Sequence, residues 1–387
     1  MKNDKKLEIV FDASPLLVNR TGVAYYTERL TQALAKTYPD QVHLTGFFYN
    51  FLKRRSNSHF PRLPNLHYRG NYVLPGKIVY QLRRWGIEVP IELFSPKRAD
   101  FILYTNFLGY PTLRGTPSAC VVHDLTFVDL PEYVSAKNGS DLRRFVPQQI
   151  KRSAFVITVS EFSKQKIAKT YGLALNRIVV TPIPPEKPRV ISESQRKTAL
   201  GSIGVAKPFI LFLSTIEPRK NVIALIEAYK QLPDALRKRF TLVVAGRIGW
   251  NCDAEIVALK QAVADGYDVR HVGFVDETTR AVLFQTAAIF TTPSHYEGFG
   301  MPVLEAMSYG RPCAVSNIPV FKEIGGDAVA YFDQTNPKDI AQTLQTLLTD
   351  PKKLASLSTA SKKHADTYNW TTVAQTVHDA ITAHLRS

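Results

Sequence analysis

Long apolar runs are missing from this chain of 387 residues, and no stretch approaches the roughly 20 apolar residues that a bilayer-spanning helix needs. The opening MKNDKKLEIVFD also lacks an apolar signal-peptide core, so a cytoplasmic location is expected. Cysteine is scarce. Cys120, Cys252 and Cys313 are odd in number and far apart, which excludes a disulfide framework or a zinc cluster and leaves them as core thiols. No G-x-G-x-x-G follows the first apolar segment, which argues against a nicotinamide enzyme. No Asp-x-Asp pair is present either, so no required metal or other cofactor is expected. Acidic residues are in deficit, 33 against 49 Lys and Arg, for a formal charge of +16.

The excess positive charge is concentrated. Residues 51–100 hold ten basic residues (Lys53, Arg54, Arg55, Arg62, Arg69, Lys77, Arg83, Arg84, Lys97 and Arg98) against three acids, Glu88, Glu92 and Asp100. Aromatics are interleaved with them: Phe51, Phe60, Tyr68, Tyr72, Tyr80, Trp85 and Phe94. This is either a solvated basic surface or a patch for anionic lipid head groups, where each basic residue contributes on the order of 1 kcal/mol. Nucleic acid is not expected, because no nucleic-acid motif accompanies the charge.

Hydrophobic content of 45% and charged content of 21% fit a globular protein, and the length favours two domains. Short β-branched runs alternate with helix-period segments throughout, the pattern of βαβ units and parallel sheets. In the first half, strands are expected at 7–12, 42–48, 101–104, 119–124, 155–160 and 178–183. In the second they are expected at 209–214, 240–246, 269–274, 288–294, 312–317 and 328–333. The spacing predicts helices over 21–38, 221–232, 278–287 and 371–385, and another running from an N-cap at Ser160 to Gly172. IPPEKPRV and the polar stretch after it, to about 204, read as a linker that resists helix and strand. The expected division is a first α/β domain at 1–185, a linker at 186–204, a second α/β domain at 205–366 and a closing helix at 367–387. The cleft between two such halves is the default binding site.

In HYEGFGMPVLEAMSYGRP, Glu297 and Glu305 flank a glycine-lined turn. Gly298 and Gly300 permit a tight turn and close approach of another molecule. Pro302 suits a helix start, and Gly310 with Pro312 ends that helix after about two turns. A helix N-terminus with free N–H groups binds anions. Carboxylates on either side would repel a phosphate, so they should hold hydroxyls, and hydroxyls flanking a phosphate describe a nucleotide sugar. STIEPRKN then places Arg219 and Lys220 after a strand and before a helix, where a forked donor and a mobile point charge suit a diphosphate. Gly22 opens the first helix at the matching place in the first half, although a lone glycine there is more often a cap. His123, with Asp124, ends a first-half strand and could bond a substrate hydroxyl or move a proton, or simply be a satisfied edge histidine. Tyr104, Thr105 and Asn106 could line the same wall. Arg247, after another strand, could meet a phosphate or the glutamates, or pair at the surface.

Over nearly its whole length the chain resembles family 4 of the retaining nucleotide-sugar glycosyltransferases. The motifs that carry the resemblance are Glu297…Glu305 as E-x7-E, EPRKN at 217–221, VHDLTF at 122–127 and VSEFSK at 159–164. The resemblance implies a GT-B fold, with two Rossmann-like doubly wound domains facing a central cleft and the last helix crossing back to the first domain. By the same resemblance Glu297 holds a hydroxyl of the donor sugar. The amides of Phe299, Gly300 and Met301, beside Gly298, hold sugar and phosphate, and Glu305 binds the ribose. Lys220, with Arg219, stabilises the leaving diphosphate. Gly22 is implied at the phosphates, His123 near the transferred sugar, and the backbone about Phe274 and Val275 at the base. Where many relatives carry Gly-Arg or Gly-Thr, this chain has Ser214-Thr215, which leaves more to Arg219 and Lys220.

The form of EPRKN here is most like that of bacterial mannosyl- and rhamnosyltransferases of polysaccharide assembly. The expected reaction moves a hexose from a GDP-, UDP- or dTDP-linked donor to a glycan or lipid-linked acceptor, at or near the inner face of the cell membrane. A non-catalytic basic nucleic-acid or lipid-surface binder on a degenerate fold, and a sugar-nucleotide epimerase or phosphorylase, are the alternatives.

Overall fold

A computed structural model describes residues 6–17, 21–53, 60–73, 75–93, 98–113 and 115–386. The chain divides into two compact units. One comprises Met1–Leu125, Ser140–Ile183 and Asn369–Ser387, and the other Thr126–Gly139 and Pro184–Tyr368.

The first unit is built on seven parallel strands: β1 (Leu7–Asp12), β2 (Val42–Tyr49), β3 (Leu66–Asn71), β4 (Phe101–Tyr104), β5 (Ser118–Val121), β6 (Phe155–Thr158) and β7 (Ile178–Val180). Their order is β3-β2-β1-β4-β5-β6-β7, so the direction of winding reverses between β1 and β4. Strand β3 has no counterpart among the sequence expectations. Its residues LHYRGN carry no apolar run because it lies at the sheet edge and is only partly covered. The strand expected to reach Asp124 stops at Val121, which leaves His123 and Asp124 in the loop beyond it.

Local sequence sets the ends of the helices. Thr21 caps Gly22–Thr37 by accepting the Ala24 N–H at 3.2 Å, and Tyr26, Leu30 and Leu34 face inward. Ser160 caps Glu161–Tyr171 through Ser163 N–H at 3.1 Å, and Gly172, at φ 65°, ends it. Helix Trp370–Arg386 packs on Gly22–Thr37. Trp370 lies 6.1 Å from the rings of both Tyr25 and Tyr26, and His378 stacks on Tyr38 at 3.8 Å.

The second unit has six parallel strands: β8 (Phe209–Leu213), β9 (Thr241–Ala245), β10 (Val269–Gly273), β11 (Ile289–Thr292), β12 (Cys313–Ser316) and β13 (Ala330–Phe332). The order is β10-β9-β8-β11-β12-β13, and the winding reverses between β8 and β11. Ile210, Phe212, Leu242, Val244 and Ile289 from the strands meet Leu225, Tyr229, Leu259 and Leu344 from the helices in one core. Burying each such side chain contributes about 1.5–3 kcal/mol.

The polar stretch before β8 is not all linker: Glu193–Ser202 is helical. Ser192 and Gln195 form a reciprocal capping box, and Ala199 is buried, so local capping outweighs low hydrophobicity. Cys120, Cys252 and Cys313 are buried and free. Among the described residues no helix is long and apolar enough to cross a membrane. Of the basic segment, Arg54, Arg55, Phe94 and Lys97, and the side chain of Lys53, lie outside the described residues.

Candidate active site

In an open parallel sheet the loops at the carboxyl ends of strands flanking the reversal splay apart and leave room for a ligand. In the second unit these are the loops after β8 and β11, which are neighbours because Ile210 and Leu211 pair with Ile289 and Phe290. The loop after β8 carries Glu217, Arg219 and Lys220, and the loop after β11 carries Ser294 and Glu297.

A short 3-10 turn, Pro218–Lys220, ends at Asn221. Asn221 adopts a left-handed conformation at φ 55°, and its amide donates to the Gln334 carbonyl at 2.7 Å. The turn directs both cations at Glu297. Arg219 Nη1 donates to Glu297 Oε2 at 2.7 Å and to the Tyr296 carbonyl at 3.0 Å, while its Nη2 lies 2.8 Å from Glu217 Oε1. Lys220 donates to Glu297 Oε1, which also accepts from Ser294 Oγ at 2.9 Å. Two carboxylates and two cations therefore form one buried cluster, with Glu217 2%, Lys220 5% and Glu297 7% exposed.

The charges tune one another. Burial pushes the Glu297 carboxyl up, but Lys220 and Arg219 outweigh it and hold the group at about 2. Burial lowers Lys220, and the adjacent Arg219 adds to that against the pull of Glu297 and Glu217. Glu217 is raised, by burial first, because Arg219 and Lys220 only partly offset it. The sequence reading expected Glu297 to face hydroxyls and the two cations to face phosphate. In the structure the three pair with one another, and Glu217 completes the charge balance, because buried charges must be paired.

Two glycines fix the surrounding backbone. At Gly246 (φ 144°) a Cβ would lie 1.7 Å from the Ser214 carbonyl oxygen, so only glycine lets the loops after β8 and β9 come together. At Gly300 (φ 106°) a Cβ would lie 2.6 Å from Phe321 Cε1 and 3.0 Å from Ile324 Cδ1. Gly298, Phe299 and Gly300 are buried, and helix Met301–Ser308 starts from Gly300 with no side-chain cap and with Pro302 in its first turn. That helix end presents N–H groups to the loop.

Glu305, 8% exposed, lies on this helix and is paired with Arg280. Burial raises its carboxyl to about 7 despite Arg280, and Glu186 adds to the rise. Among the described residues Arg247 makes no ion pair with the glutamates, and its Cζ lies 5.0 Å from the centre of the exposed Phe274 ring. Val275 is half-buried and precedes Asp276, the cap of helix Glu277–Thr286, which accepts the Thr279 N–H at 2.7 Å.

In the first unit, Gly22 is exposed at the start of its helix, in the chain that follows β1. His123 Nε2 lies 3.2 Å from the Thr105 carbonyl, and the ring meets Tyr26 edge-on at 5.3 Å. A carbonyl can only accept, so Nε2 carries the proton and Nδ1 is the basic nitrogen. Burial lowers this histidine, against opposing effects of Thr105 and Asp124, and keeps it neutral at pH 7. Thr105 is tied back to β1 through its hydroxyl, 3.3 Å from the Asp12 carbonyl.

Sequence reasoning missed Glu217, Ser294 and Arg280. Arg280 did leave a signal: a cation in the first turn of a helix opposes the dipole and calls for a carboxylate nearby. Glu217 stood in the EPRKN motif without a role of its own, and Ser294 was passed over although it bonds Glu297 only three residues on.

Two parallel Rossmann-like units of this kind are the fold of the GT-B glycosyltransferases. Residues 20–184 match the model of Glycosyltransferase Family 4 and residues 197–364 that of glycosyl transferases group 1. The chain belongs to the family 4 glycosyltransferases. It is 27% identical over 361 residues to O-antigen chain mannosyltransferase B of Escherichia coli, covering 89% of this chain and 91% of that one. It is 26% identical over 275 residues to the serotype-specific mannosyltransferase WbdA of Escherichia coli, covering 70% of this chain but only 34% of that longer protein. The solved structure of Anabaena HepE in complex with UDP and glucose matches with a TM-score of 0.68 at 18% identity, over 97% of this chain and 100% of the other.

Proposed function

We propose that this glycosyltransferase moves a hexose, mannose- or rhamnose-like, from a nucleotide-diphosphate sugar to a glycan or lipid-linked acceptor in cell-surface polysaccharide synthesis. The carrying observation is the buried cluster of Glu217, Arg219, Lys220 and Glu297 at the winding reversal, with Glu305 eight residues beyond Glu297. A diphosphate entering this loop displaces the internal pairing. Lys220 and Arg219 turn to phosphate oxygens, and Glu297 is released to accept from a sugar hydroxyl. The amides around Gly298, Phe299, Gly300 and Met301 complete the phosphate and sugar contacts, Glu305 takes the ribose hydroxyls, and the backbone at Val275 meets the base. Gly22, His123 and Arg247 keep their proposed roles at phosphate, transferred sugar and donor.

Retention follows from displacement on one face. The bond from the anomeric carbon to the diphosphate breaks and the bond to the acceptor oxygen forms on the same side, while the acceptor proton passes to a leaving phosphate oxygen. The protein then contributes positioning and charge stabilisation, and Lys220 and Arg219 supply the charge without a metal. The mannosyltransferase names of the relatives favour the hexose, and GDP, UDP and dTDP are the candidate carriers.

Peripheral attachment to an anionic membrane is part of the same reading. Helix Gly76–Arg84 leads into Trp85, 70% exposed, with Ile78 and Ile87 also exposed beside Lys77 and Arg84, whereas Arg83 turns inward to the Gly109 carbonyl at 2.8 Å. Apolar side chains interleaved with cations suit a lipid head-group layer.

Sugar transfer should be lost in Glu297→Ala and in Lys220→Ala, with folding checked by circular dichroism because breaking a buried pair costs about 3–5 kcal/mol. A folded variant of either that transfers at near the wild-type rate refutes the reading. Product analysis separates the alternatives: a new glycoside with free nucleoside diphosphate means transfer, whereas an epimerised donor or a sugar phosphate means another reaction. Salt-sensitive polyanion binding without stabilisation by any nucleotide would mark a non-catalytic binder.

A further inference from the structure

Glu217 stands apart from the residues given a role above. It is the most deeply buried carboxylate of the cluster, and one of its oxygens, Oε1, lies 2.8 Å from Arg219 Nη2. Its other oxygen, Oε2, is buried and has no hydrogen-bond partner among the described residues. Arg219 is thus held from two sides, by Glu217 through one nitrogen and by Glu297 and the Tyr296 carbonyl through the other.

The charges facing Glu217 are Arg219 and Lys220 from its own turn and Glu297 from the loop after β11. His295 is also close, since its N–H donates to the Arg219 carbonyl at 2.8 Å, and burial keeps its ring toward the neutral form. Counted with both acids ionised, the cluster is neutral. A diphosphate brought against Lys220 and Arg219 adds at least two negative charges to a buried site. Its two cations would then serve two carboxylates and a dianion together. The carboxylate with an empty oxygen is the one that can relieve this excess by accepting a proton.

We propose that Glu217 is a positioning residue for the donor site: it fixes the Arg219 guanidinium from behind, and its unpaired oxygen takes up a proton when a diphosphate binds. The inference rests on the donor-site reading above and adds to it a coupling between donor binding and protonation. Burial already biases Glu217 toward the protonated form in the free protein, in the direction this requires.

Calorimetric titration of the full chain with GDP, UDP and dTDP at pH 7, in buffers of different ionisation enthalpy, counts the protons bound per nucleotide. The informative quantity is the difference between the wild type and Glu217→Gln, because proton exchange at Glu305 and on the nucleotide is common to both. His295→Gln controls for uptake by the imidazole. The expected result is about 0.5 to 1 proton more for the wild type than for Glu217→Gln, with the excess retained in Glu217→Asp and in His295→Gln. Equal uptake in the wild type and Glu217→Gln overturns the proposal. If Glu217→Gln does not fold, infrared difference spectra of Glu305→Gln decide: a new protonated-carboxyl band on adding nucleotide supports it and its absence overturns it. A wild type that binds none of the three nucleotides, or binding undiminished in Lys220→Ala, overturns the donor-site reading and this inference with it.

Discussion

Replacing Glu305 with glutamine should remove a fall in stability that the wild type shows between pH 4.5 and 7. The wild-type carboxyl is raised from 4.5 to about 7, chiefly by burial, although Arg280 partly compensates. Each tenfold change in proton affinity is worth about 1.4 kcal/mol. Between pH 4.5 and 7 the unfolded chain has released this proton while the folded chain keeps it, so stability falls as pH rises. The fall reaches about 3 kcal/mol above pH 7 and is absent below 4.5. Glutamine carries no charge to desolvate, and its carbonyl can still accept from Arg280, which is partly solvated. Urea unfolding from pH 4 to 8.5 should show the wild-type free energy sagging across this window and Glu305→Gln nearly level, with the variant the more stable by about 3 kcal/mol at pH 8. Curves that stay parallel across the whole range refute the assignment of this carboxyl as buried and proton-retaining. Nucleotide affinity gives an independent reading. If ionised Glu305 grips the ribose, donor binding at this residue strengthens as pH rises through 7, and Glu305→Gln loses that limb.

Glu297 predicts the opposite limb. Its carboxyl is held at about 2, so the stability it adds is complete above about 4.5 and is lost as pH falls toward 2, by about 3 kcal/mol, a slope that Glu297→Gln should remove from acid unfolding curves. Gly300→Ala combines a left-handed backbone with a Cβ 2.6 Å from Phe321, and overpacking with backbone strain should lower stability by about 2–4 kcal/mol in urea titrations. Gly246→Ala meets a backbone carbonyl at 1.7 Å, which no rotamer change relieves, so it should fail to accumulate as soluble protein. Trp85→Glu with Arg84→Glu should abolish co-sedimentation with vesicles containing phosphatidylglycerol while leaving transfer to a water-soluble acceptor intact, and unchanged sedimentation would remove the membrane contact from the reading.

Local chemistry in the chain determined a good deal by itself. Apolar β-branched runs placed twelve of the strands, because a strand buried on both faces must be apolar along its length. Thr21 and Ser160 marked helix starts, because a short polar side chain can satisfy an N–H only a few residues ahead, whereas the cap at Asp276 was not foreseen. The family, and the motif holding Glu297 and Glu305, were legible for the same reason: E-x7-E and EPRKN are contiguous. Strand β3 was not legible, because an edge position relaxes the need for apolar residues. The helix at Glu193–Ser202 was passed over because its capping box sits in polar surroundings.

Tertiary structure alone decided who partners whom. Arg219 and Lys220 are 78 and 77 residues from Glu297 in the chain, and only the pairing of β8 with β11 brings their loops together. The charge state of each carboxyl followed from that meeting. Glu297 gains two cations at once, whereas Glu305 has one and Glu217 is left with an unsatisfied oxygen. Proton affinity in a buried site depends on distances in space and on exclusion of water, and neither quantity is encoded at any one position of the sequence.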